Sequence, residues 1–280
     1  MRIIVVSIVL MLASAAHAQR APDMATLDRG DGISKFGVDG AFSSLDTPFY
    51  DAALRFELYG QYITRSGFGI YGALPLAHSF GDAPEPMPQP ATALGNLDLG
   101  MLYVITKSRS FSWVFRGGVA VPTASDDIDG ATTNYYAAWP RLTDIALAVP
   151  DAWYVRLGFS PLIHVDKIFF RFDLGFDIGI DDNDAADELV RLNLGGGVDL
   201  GVVALSLELV NLYSLDDFDD DDDWVHTLAF TVRFMGEQLQ PFIALGAPSA
   251  MNGCSCSPMN RTVTASVCTQ SSSSSKSSSE

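Results

Sequence analysis

Hydrophobic and polar side chains alternate with a period of two along most of the chain after residue 31. The clearest case is residues 168–180, where Phe170 and Phe176 share one parity and Arg171 and Asp173 share the other. Because side chains of an extended strand point alternately to opposite faces, this segment predicts a strand with one strongly apolar face. The core of a soluble β-sandwich and a surface in contact with lipid both fit that pattern, so the segment alone does not choose between them.

Further segments repeat the alternation. They predict strands at 34–42, 54–62, 68–76, 96–103, 111–121, 153–160, 168–180, 190–200, 203–209 and 224–234, followed by an eleventh at 239–245. Short turns alternate with longer connections, of which the Pro-rich stretch 77–93 and the stretch 123–149 are the longest. This alternation is typical of an up-and-down membrane barrel with short turns at one end and external loops at the other. Predicted lengths of about 9 to 13 residues also suit tilted membrane strands.

Charged residues share the polar parity of these strands, whereas the opposite faces are large and apolar. We therefore predict an all-β, antiparallel up-and-down transmembrane β-barrel of 10–12 strands, with 12 favoured and the last strand degenerate or missing. The predicted lumen-lining residues are Arg55, Glu57, Asp98, Arg116, Arg156, Arg171, Asp173, Asp177, Arg191, Asp199, Glu208 and Arg233. Aromatic residues near strand ends predict interfacial girdles: Tyr103, Phe111, Trp113, Trp153 and Trp224.

The N-terminus has the pattern of a secretory signal peptide. Arg2 precedes an apolar run at 3–12, and Ala16-His17-Ala18 has the small residues of a cleavage site. An uncleaved anchor is the alternative. We predict a signal peptide at 1–18, an N-terminal lead-in at 19–31, the barrel at 32–248 and a Cys/Ser-rich, low-complexity, disordered tail at 249–280.

The composition changes abruptly after Pro248. All three cysteines lie beyond it, Phe, Trp, Tyr, Leu and Ile no longer occur, and the last residues are mostly serine. Residues 261–269 form at best a feeble twelfth strand. Two hypotheses stay open: a replaced or frame-shifted terminus of a 12-stranded barrel, or a genuine disordered extension of a ten-stranded one.

With this architecture the chain resembles Gram-negative outer-membrane β-barrel proteins across residues 32–247. Through Gly95-Asn-Leu-Asp-Leu-Gly100 and Gly117-Gly-Val-Ala-Val-Pro-Thr123 it is also similar to outer-membrane transporters of the aromatic (phenol) degradation type. The resemblance implies export to the outer membrane, with outer-membrane lipid and the barrel-assembly machinery as partners. We predict no cofactor.

The excess of acidic over basic residues argues against some classes of binding partner. A net charge of −17 argues against nucleic acid and against docking on anionic lipid. Acidic residues cluster in three predicted external loops, near 126–129, 181–188 and 216–223. Divalent cations bind clustered carboxylates, so a weak cation site is one interpretation of Asp216, Asp217, Asp219, Asp220, Asp221, Asp222 and Asp223. A solvated loop is the favoured one, because the spacing of a calcium loop is absent.

Three functions remain open. A barrel of 10 to 12 strands lies between small filled barrels and open porins, and interior glycines such as Gly118, Gly175 and Gly195 are expected to leave space, so a narrow channel or transporter for small solutes is favoured. The alternative is a structural or surface-interaction barrel with a self-paired, plugged lumen. The third is an outer-membrane hydrolase. His226 and His164 lack a recognisable nucleophile pair in the sequence, so we predict no enzyme.

Overall fold

The computed structural model describes residues 5–12, 24–27, 29, 31–45, 47, 50–108, 110–180, 188–215, 224–236 and 240–248. These residues contain thirteen strands, one α-helix (α1, Ile128–Ala138) and one 3-10 helix (Trp139–Leu147). The strands are β1 Val5–Leu12, β2 Lys35–Ser44, β3 Ala52–Ile63, β4 Phe68–Phe80, β5 Thr92–Leu94, β6 Leu97–Ser108, β7 Phe111–Val121, β8 Tyr154–Val165, β9 Ile168–Gly179, β10 Leu189–Asp199, β11 Val203–Ser214, β12 Trp224–Phe234 and β13 Phe242–Pro248. Neither described helix has the length and apolarity needed to cross a membrane.

Twelve of these strands form one antiparallel ring. Consecutive strands pair from β6 to β13, and β4 joins β6 to β3. The pairing of β3 with both β2 and β4 brings the two ends of the ladder together. The short β5 adds only to the edge of β4 beyond its pairing with β6. The ring has the even strand number of single-chain bacterial barrels, and the predicted fold class is confirmed with 12 strands.

The twelfth position in the ring is filled from the N-terminus. Strand β1 lies between β2 and β13, with Val6 opposite both Phe42 and Leu245. It belongs to the predicted signal peptide, whose cleavage stays a prediction. The eleventh strand predicted at 239–245 is found at Phe242–Pro248, and the feeble strand at 261–269 lies outside the described residues.

Burial along the strands is inverted relative to a soluble protein. On β9, Phe170 is 56% exposed and Ile168 51% exposed, whereas Arg171 is only 3% exposed and Asp173 is fully buried. The same alternation is clear on β3, β11 and β12, and exposed large apolar side chains such as Phe56, Leu207 and Leu228 cover the outside of the ring. An apolar exterior around a charged interior is the arrangement of a transmembrane β-barrel, because lipid solvates the first and the lumen holds the second.

The connection from β7 to β8, residues 122–153, differs from the purely external loop that was expected. The Asp127 side chain accepts a 2.8 Å hydrogen bond from the Gly130 amide and caps α1, since an acceptor at this position satisfies a free N–H of the first turn. The following 3-10 helix is largely buried, including Leu142 and Asp144. We call the helical part of this connection, residues 128–147, the inward connection. The apolar residues of its 3-10 segment explain why it packs inside the ring.

The Pro-rich connection also begins later than predicted. Strand β4 continues to Phe80 despite Pro75, and Thr92–Leu94 forms β5. The Ser79 hydroxyl accepts a 3.0 Å hydrogen bond from the Ala91 amide, which ties the end of β4 to the returning chain.

Candidate functional site in the barrel interior

The lead-in enters the ring and is bound by one carboxylate of the wall. Glu208 on β11 accepts hydrogen bonds at 2.7 Å from both the backbone amide and the hydroxyl of Thr26, and at 3.2 Å from the amide of Ala25. The hydroxyls of Ser206 and Thr231 donate to it at 2.9 and 2.7 Å. Five donors therefore solvate a fully buried carboxylate, as a charge removed from water requires.

The inward connection binds the same piece of the lead-in from the other side. The Arg141 guanidinium donates to the carbonyl oxygens of Ala25 and, at 3.3 Å, of Leu27. The Thr143 hydroxyl donates to the Thr26 carbonyl at 3.1 Å. Two segments that are not part of the wall thus hold each other inside the barrel.

Asp144 fastens the inward connection to the wall. Its carboxylate lies 2.7 Å from Arg141, 3.4 Å from Arg55 on β3 and 3.3 Å from Arg156 on β8. Burial alone would raise the pKa of Asp144, but the guanidiniums of Arg141, Arg55 and Arg156 together hold that pKa well below its usual range. Asp144 is therefore an ionised latch between the connection and two separate strands.

Arg29 fastens the lead-in at a second point. Its guanidinium lies 2.7 Å from Glu57 on β3 and 2.7 Å from Asp39 on β2, and its charge sits 3.7 Å from the centre of the Tyr59 ring. Burial lowers the pKa of Arg29, but the Glu57 and Asp39 carboxylates raise it well above its ordinary value. The lead-in is thus attached by one cation and, at Thr26, by neutral donors.

The remaining wall charges pair with one another. Arg156 lies 2.6 Å from Asp98 and 3.1 Å from Asp177, and Arg191 shares Asp177 at 2.9 Å. Arg171 lies 2.7 Å from Asp173. The interior therefore carries a network of paired charges that spans several strands.

The structure places the twelve residues predicted to line the lumen as follows. Ten are buried, and Arg116 and Asp199 are half-buried. The charge of Arg116 lies 5.1 Å from the centre of the Tyr71 ring, and that of Arg233 lies 4.3 Å from the centre of the Phe242 ring. Asp199 accepts a 2.7 Å hydrogen bond from the Gly201 amide at a turn. Their role in lining a solute path stays a prediction.

Interior glycines do not leave the space that was expected of them. A Cβ added at Gly195 would meet the side chain of Met24, one at Gly118 would meet the Tyr71 hydroxyl, and one at Gly175 would lie 2.6 Å from the Arg191 guanidinium. These glycines make room for large neighbouring side chains. The lead-in also packs into an apolar cluster of Met24, Leu27, Leu142, Phe169, Ala204 and Val210.

Two small cavities lie between the described side chains. Their volumes are about 20 and 10 Å³, which is room for roughly one water each. The larger lies between Arg29, Tyr59, Tyr71, Arg116 and Asp144. The lumen described here is therefore occupied by the lead-in and the inward connection.

Sequence reasoning identified the wall residues of this site but missed its centre. Thr26, Arg141 and Asp144 lie in segments whose hydrophobic and polar residues do not alternate. The sequence pattern therefore did not indicate that their side chains face the interior. One signal was available: Trp139, Leu142 and neighbouring apolar residues in a supposed external loop indicate burial.

Within the described part of the chain, His164 and His226 lie in no recognisable arrangement of catalytic groups. His226 shares the outward-facing parity of Trp224 and Leu228 on β12, with Nδ1 2.7 Å from Asn211 Oδ1 and its ring stacked on Trp224. His164 is half-buried on β8. Among the described residues no cluster of His, Cys, Asp or Glu could hold a metal ion. The run 216–223 lies outside those residues, so cation binding there stays a prediction.

Comparisons with known proteins add little to this geometry. No protein-family model and no curated protein matches the chain. The chain is similar in structure to an outer membrane channel from Pseudomonas putida F1, with a TM-score of 0.44 and 14% sequence identity over 89% of this chain and 95% of that one. A likeness at this TM-score shows no shared function.

Proposed function

We propose that this protein is an outer-membrane channel or transporter for small solutes, and that the lead-in and the inward connection close its lumen in the state described here. Solutes pass when these two segments are displaced. The proposal also places the protein in the outer membrane after export, in contact with lipid through the apolar exterior of the ring.

One observation carries the proposal: two segments that do not belong to the wall lie inside the ring among the wall side chains. Barrels of about eight strands are filled by side chains of their own strands, and wider ones are open or plugged by separate segments. Here Thr26, Arg29 and Asp144 belong to connecting segments, and hydrogen bonds and ion pairs attach them to the wall. Such a plug can leave without disrupting a single strand pairing.

The solute class is suggested by the sequence resemblance to transporters of the aromatic (phenol) degradation type. Small aromatic compounds are therefore the first solutes to test. The interior offers them both rings and cations, since Tyr59 packs against Arg29 and Tyr71 against Arg116, and aromatic groups bind favourably to both.

A structural or surface-interaction barrel is the second candidate. It is favoured by the mutual pairing of the wall charges, such as Arg156 with Asp98 and Asp177, and by the small volume of the cavities. In that function the plug is permanent. A hydrolase, the third candidate, has no observation in its favour.

Planar-bilayer recording of the purified protein, together with a Glu208→Ala variant, tests the proposal. We expect single-channel steps, with larger or longer openings for Glu208→Ala because the anchor of the lead-in is lost. Glu208→Gln is the matched control and should lie between the two. Liposome swelling with phenol-sized aromatic solutes and with sugars then tests the solute class. Silent bilayers for all three proteins would support the structural barrel instead.

A further inference from the structure

Two carboxylates of the wall lie directly opposite each other on neighbouring strands. Asp39 on β2 pairs in register with Glu57 on β3, and the two residues are only 3% and 1% exposed. Like charges in such a cross-strand pair destabilise a sheet, and burial strengthens their repulsion. This part of the wall therefore needs a cation between the two carboxylates.

The lead-in supplies that cation. The Arg29 guanidinium donates through Nε to Glu57 and through Nη2 to Asp39, both at 2.7 Å, and its central carbon lies 3.7 Å from the centre of the Tyr59 ring. Tyr59 lies opposite Gly37, where an added Cβ would come within 2.6 Å of the Tyr59 hydroxyl, so glycine makes room for the ring. Carboxylates and an aromatic face are favourable partners of a guanidinium. The wall alone thus provides a site of matching chemistry, which we call the guanidinium site: Asp39, Glu57 and Tyr59.

The charges around the guanidinium site fall one cation short when Arg29 is withdrawn. Three carboxylates are matched by three guanidiniums there: Asp39, Glu57 and Asp144 by Arg29, Arg55 and Arg141. Arg156 also approaches Asp144, but it lies closer to Asp98. If the inward connection leaves too, Arg141 and Asp144 leave together, so the deficit stays at one. Because an unpaired buried carboxylate is costly, a mobile cation is expected to take the place of Arg29.

Lys35 on β2 does not supply the missing charge. Its Nζ lies 5.7 Å from the centre of the Tyr59 ring, but it already pairs with Asp31 at 2.9 Å. The side-chain amide of Gln61 on β3 also donates to Asp31, at 2.5 Å. These contacts attach Asp31 to the wall, so it stays with Lys35 when residues 24–29 are withdrawn.

Space for the rest of a solute adjoins the guanidinium site. The cavity of about 20 Å³ is lined by Arg29, Glu57 and Tyr59, and also by Tyr71 and Arg116. Withdrawal of Arg29 would add the volume of its side chain to this cavity. The site therefore suits a monovalent cation with a flat head group and a small substituent.

We propose that Asp39, Glu57 and Tyr59 bind a monovalent organic cation of the guanidinium or amidinium class, and that Arg29 occupies their site in the closed barrel as a tethered substitute. The inference deepens the proposed function by giving the solute a charge and a head group. It rests on that function only for the passage of the cation, because binding at the site does not require conduction.

Calorimetry on the full-length Arg29→Ala protein tests the site. Ethylguanidinium, which reproduces the arginine side chain beyond Cβ, is titrated at constant ionic strength. We expect saturable binding to Arg29→Ala, at least about tenfold tighter than that of K⁺ or of ethylurea, the neutral analogue of the same shape. Wild-type protein should bind ethylguanidinium at least about tenfold more weakly, because Arg29 fills the site.

A second substitution in Arg29→Ala identifies the carboxylates. Adding Glu57→Gln should weaken the binding of ethylguanidinium at least about tenfold, because a hydrogen bond to a charged acceptor is lost. Asp51→Asn, which changes an exposed carboxylate just before β3, is the matched control and should leave the affinity unchanged. If Arg29→Ala refolds poorly, the yield of folded barrel becomes the readout. Ethylguanidinium in the refolding mixture should raise that yield, since a ligand stabilises the state that binds it, and ethylurea should not.

Bilayer recording of Glu208→Ala separates this inference from the proposed function. With the lead-in loosened, ethylguanidinium should reduce the K⁺ current and ethylurea should not, and Asp39→Asn should abolish the difference. Binding of ethylguanidinium together with silent bilayers would support the site and count against the channel.

Three results would overturn the proposal. The first is the absence of saturable binding to Arg29→Ala and of any gain in refolding yield. The second is equal binding of ethylurea, which would mean that the site selects shape and not charge. The third is equal binding of K⁺, which would make it an unspecific site for monovalent cations.

Discussion

The Thr26 amide and hydroxyl both donate to the same oxygen of Glu208, each at 2.7 Å. This contact joins a residue of the lead-in to the middle of β11, 182 positions away in the sequence. Because Glu208 is fully buried, the lead-in replaces the water that an ionised carboxylate otherwise needs. The wall and the plug therefore stabilise each other: Glu208 holds the lead-in, and the lead-in solvates Glu208.

Replacing Glu208 by alanine should release the lead-in while the barrel stays folded. Three hydrogen bonds from the lead-in to a charged acceptor are lost, which lowers the local stability of the segment by on the order of 3 kcal/mol. Hydrogen exchange at the amides of Ala25 and Thr26 should accelerate about a hundredfold. Strand amides of β3 and β8 serve as the internal control. Unchanged protection at Thr26 would show that Glu208 is not its anchor.

Replacing Asp144 by asparagine should loosen the inward connection. Three arginines, Arg55, Arg141 and Arg156, lose a shared carboxylate, and removing one partner of a buried ion pair typically costs about 3 to 5 kcal/mol. We expect a lower thermal midpoint and faster proteolysis between residues 128 and 150. Asp127→Asn is the matched control, because asparagine also caps helices well. Equal effects of the two changes would contradict the latch.

The latch formed by Asp144 should survive mild acid. A carboxyl whose pKa is depressed in the folded state stabilises that state fully above the unfolded pKa, about 3.9, and the stabilisation is lost as pH falls toward the folded pKa. The emission of Trp139, measured in a variant with no other tryptophan, should stay constant from about pH 8 to pH 5 and change only below about pH 4. In Asp144→Asn this acid step should shrink. A transition centred near pH 6 would contradict the assignment.

Quenching by lipid should separate the tryptophans on the outside of the ring from the one inside it. Trp153 and Trp224 are 41% and 43% exposed on the outside of the ring, whereas Trp139 is 8% exposed within the inward connection. In liposomes of brominated lipid, variants that retain only Trp153 or only Trp224 should be strongly quenched, and the variant that retains only Trp139 should not. Strong quenching of Trp139 would place the inward connection in the membrane rather than inside the ring.

The wall of this barrel could be predicted from the sequence because its signal is local. Alternation assigned Arg156, Asp177 and Glu208 to one face, and the structure buries all three. The segments inside the ring could not be predicted in the same way. The hydrogen bonds of Thr26 to Glu208 and of Arg141 to Ala25 join residues that come together only when the ring has closed. Contacts between residues so far apart in the sequence produce no repeating pattern of hydrophobic and polar residues. Strand β1 was missed for another reason, since its apolar run matches a signal peptide as well as a strand.

A reversible lock on the lead-in tests the central claim most directly. A Cβ at Gly195 on β10 would contact the Met24 side chain, so Met24→Cys with Gly195→Cys, in a background with the native cysteines replaced by serine, should form a disulfide between plug and wall. Single-channel conductance is then recorded before and after reductant is added. We predict few or no steps in the oxidised protein and clear steps after reduction. Identical recordings in the two states, whether conducting or silent, would contradict a channel closed by a movable lead-in.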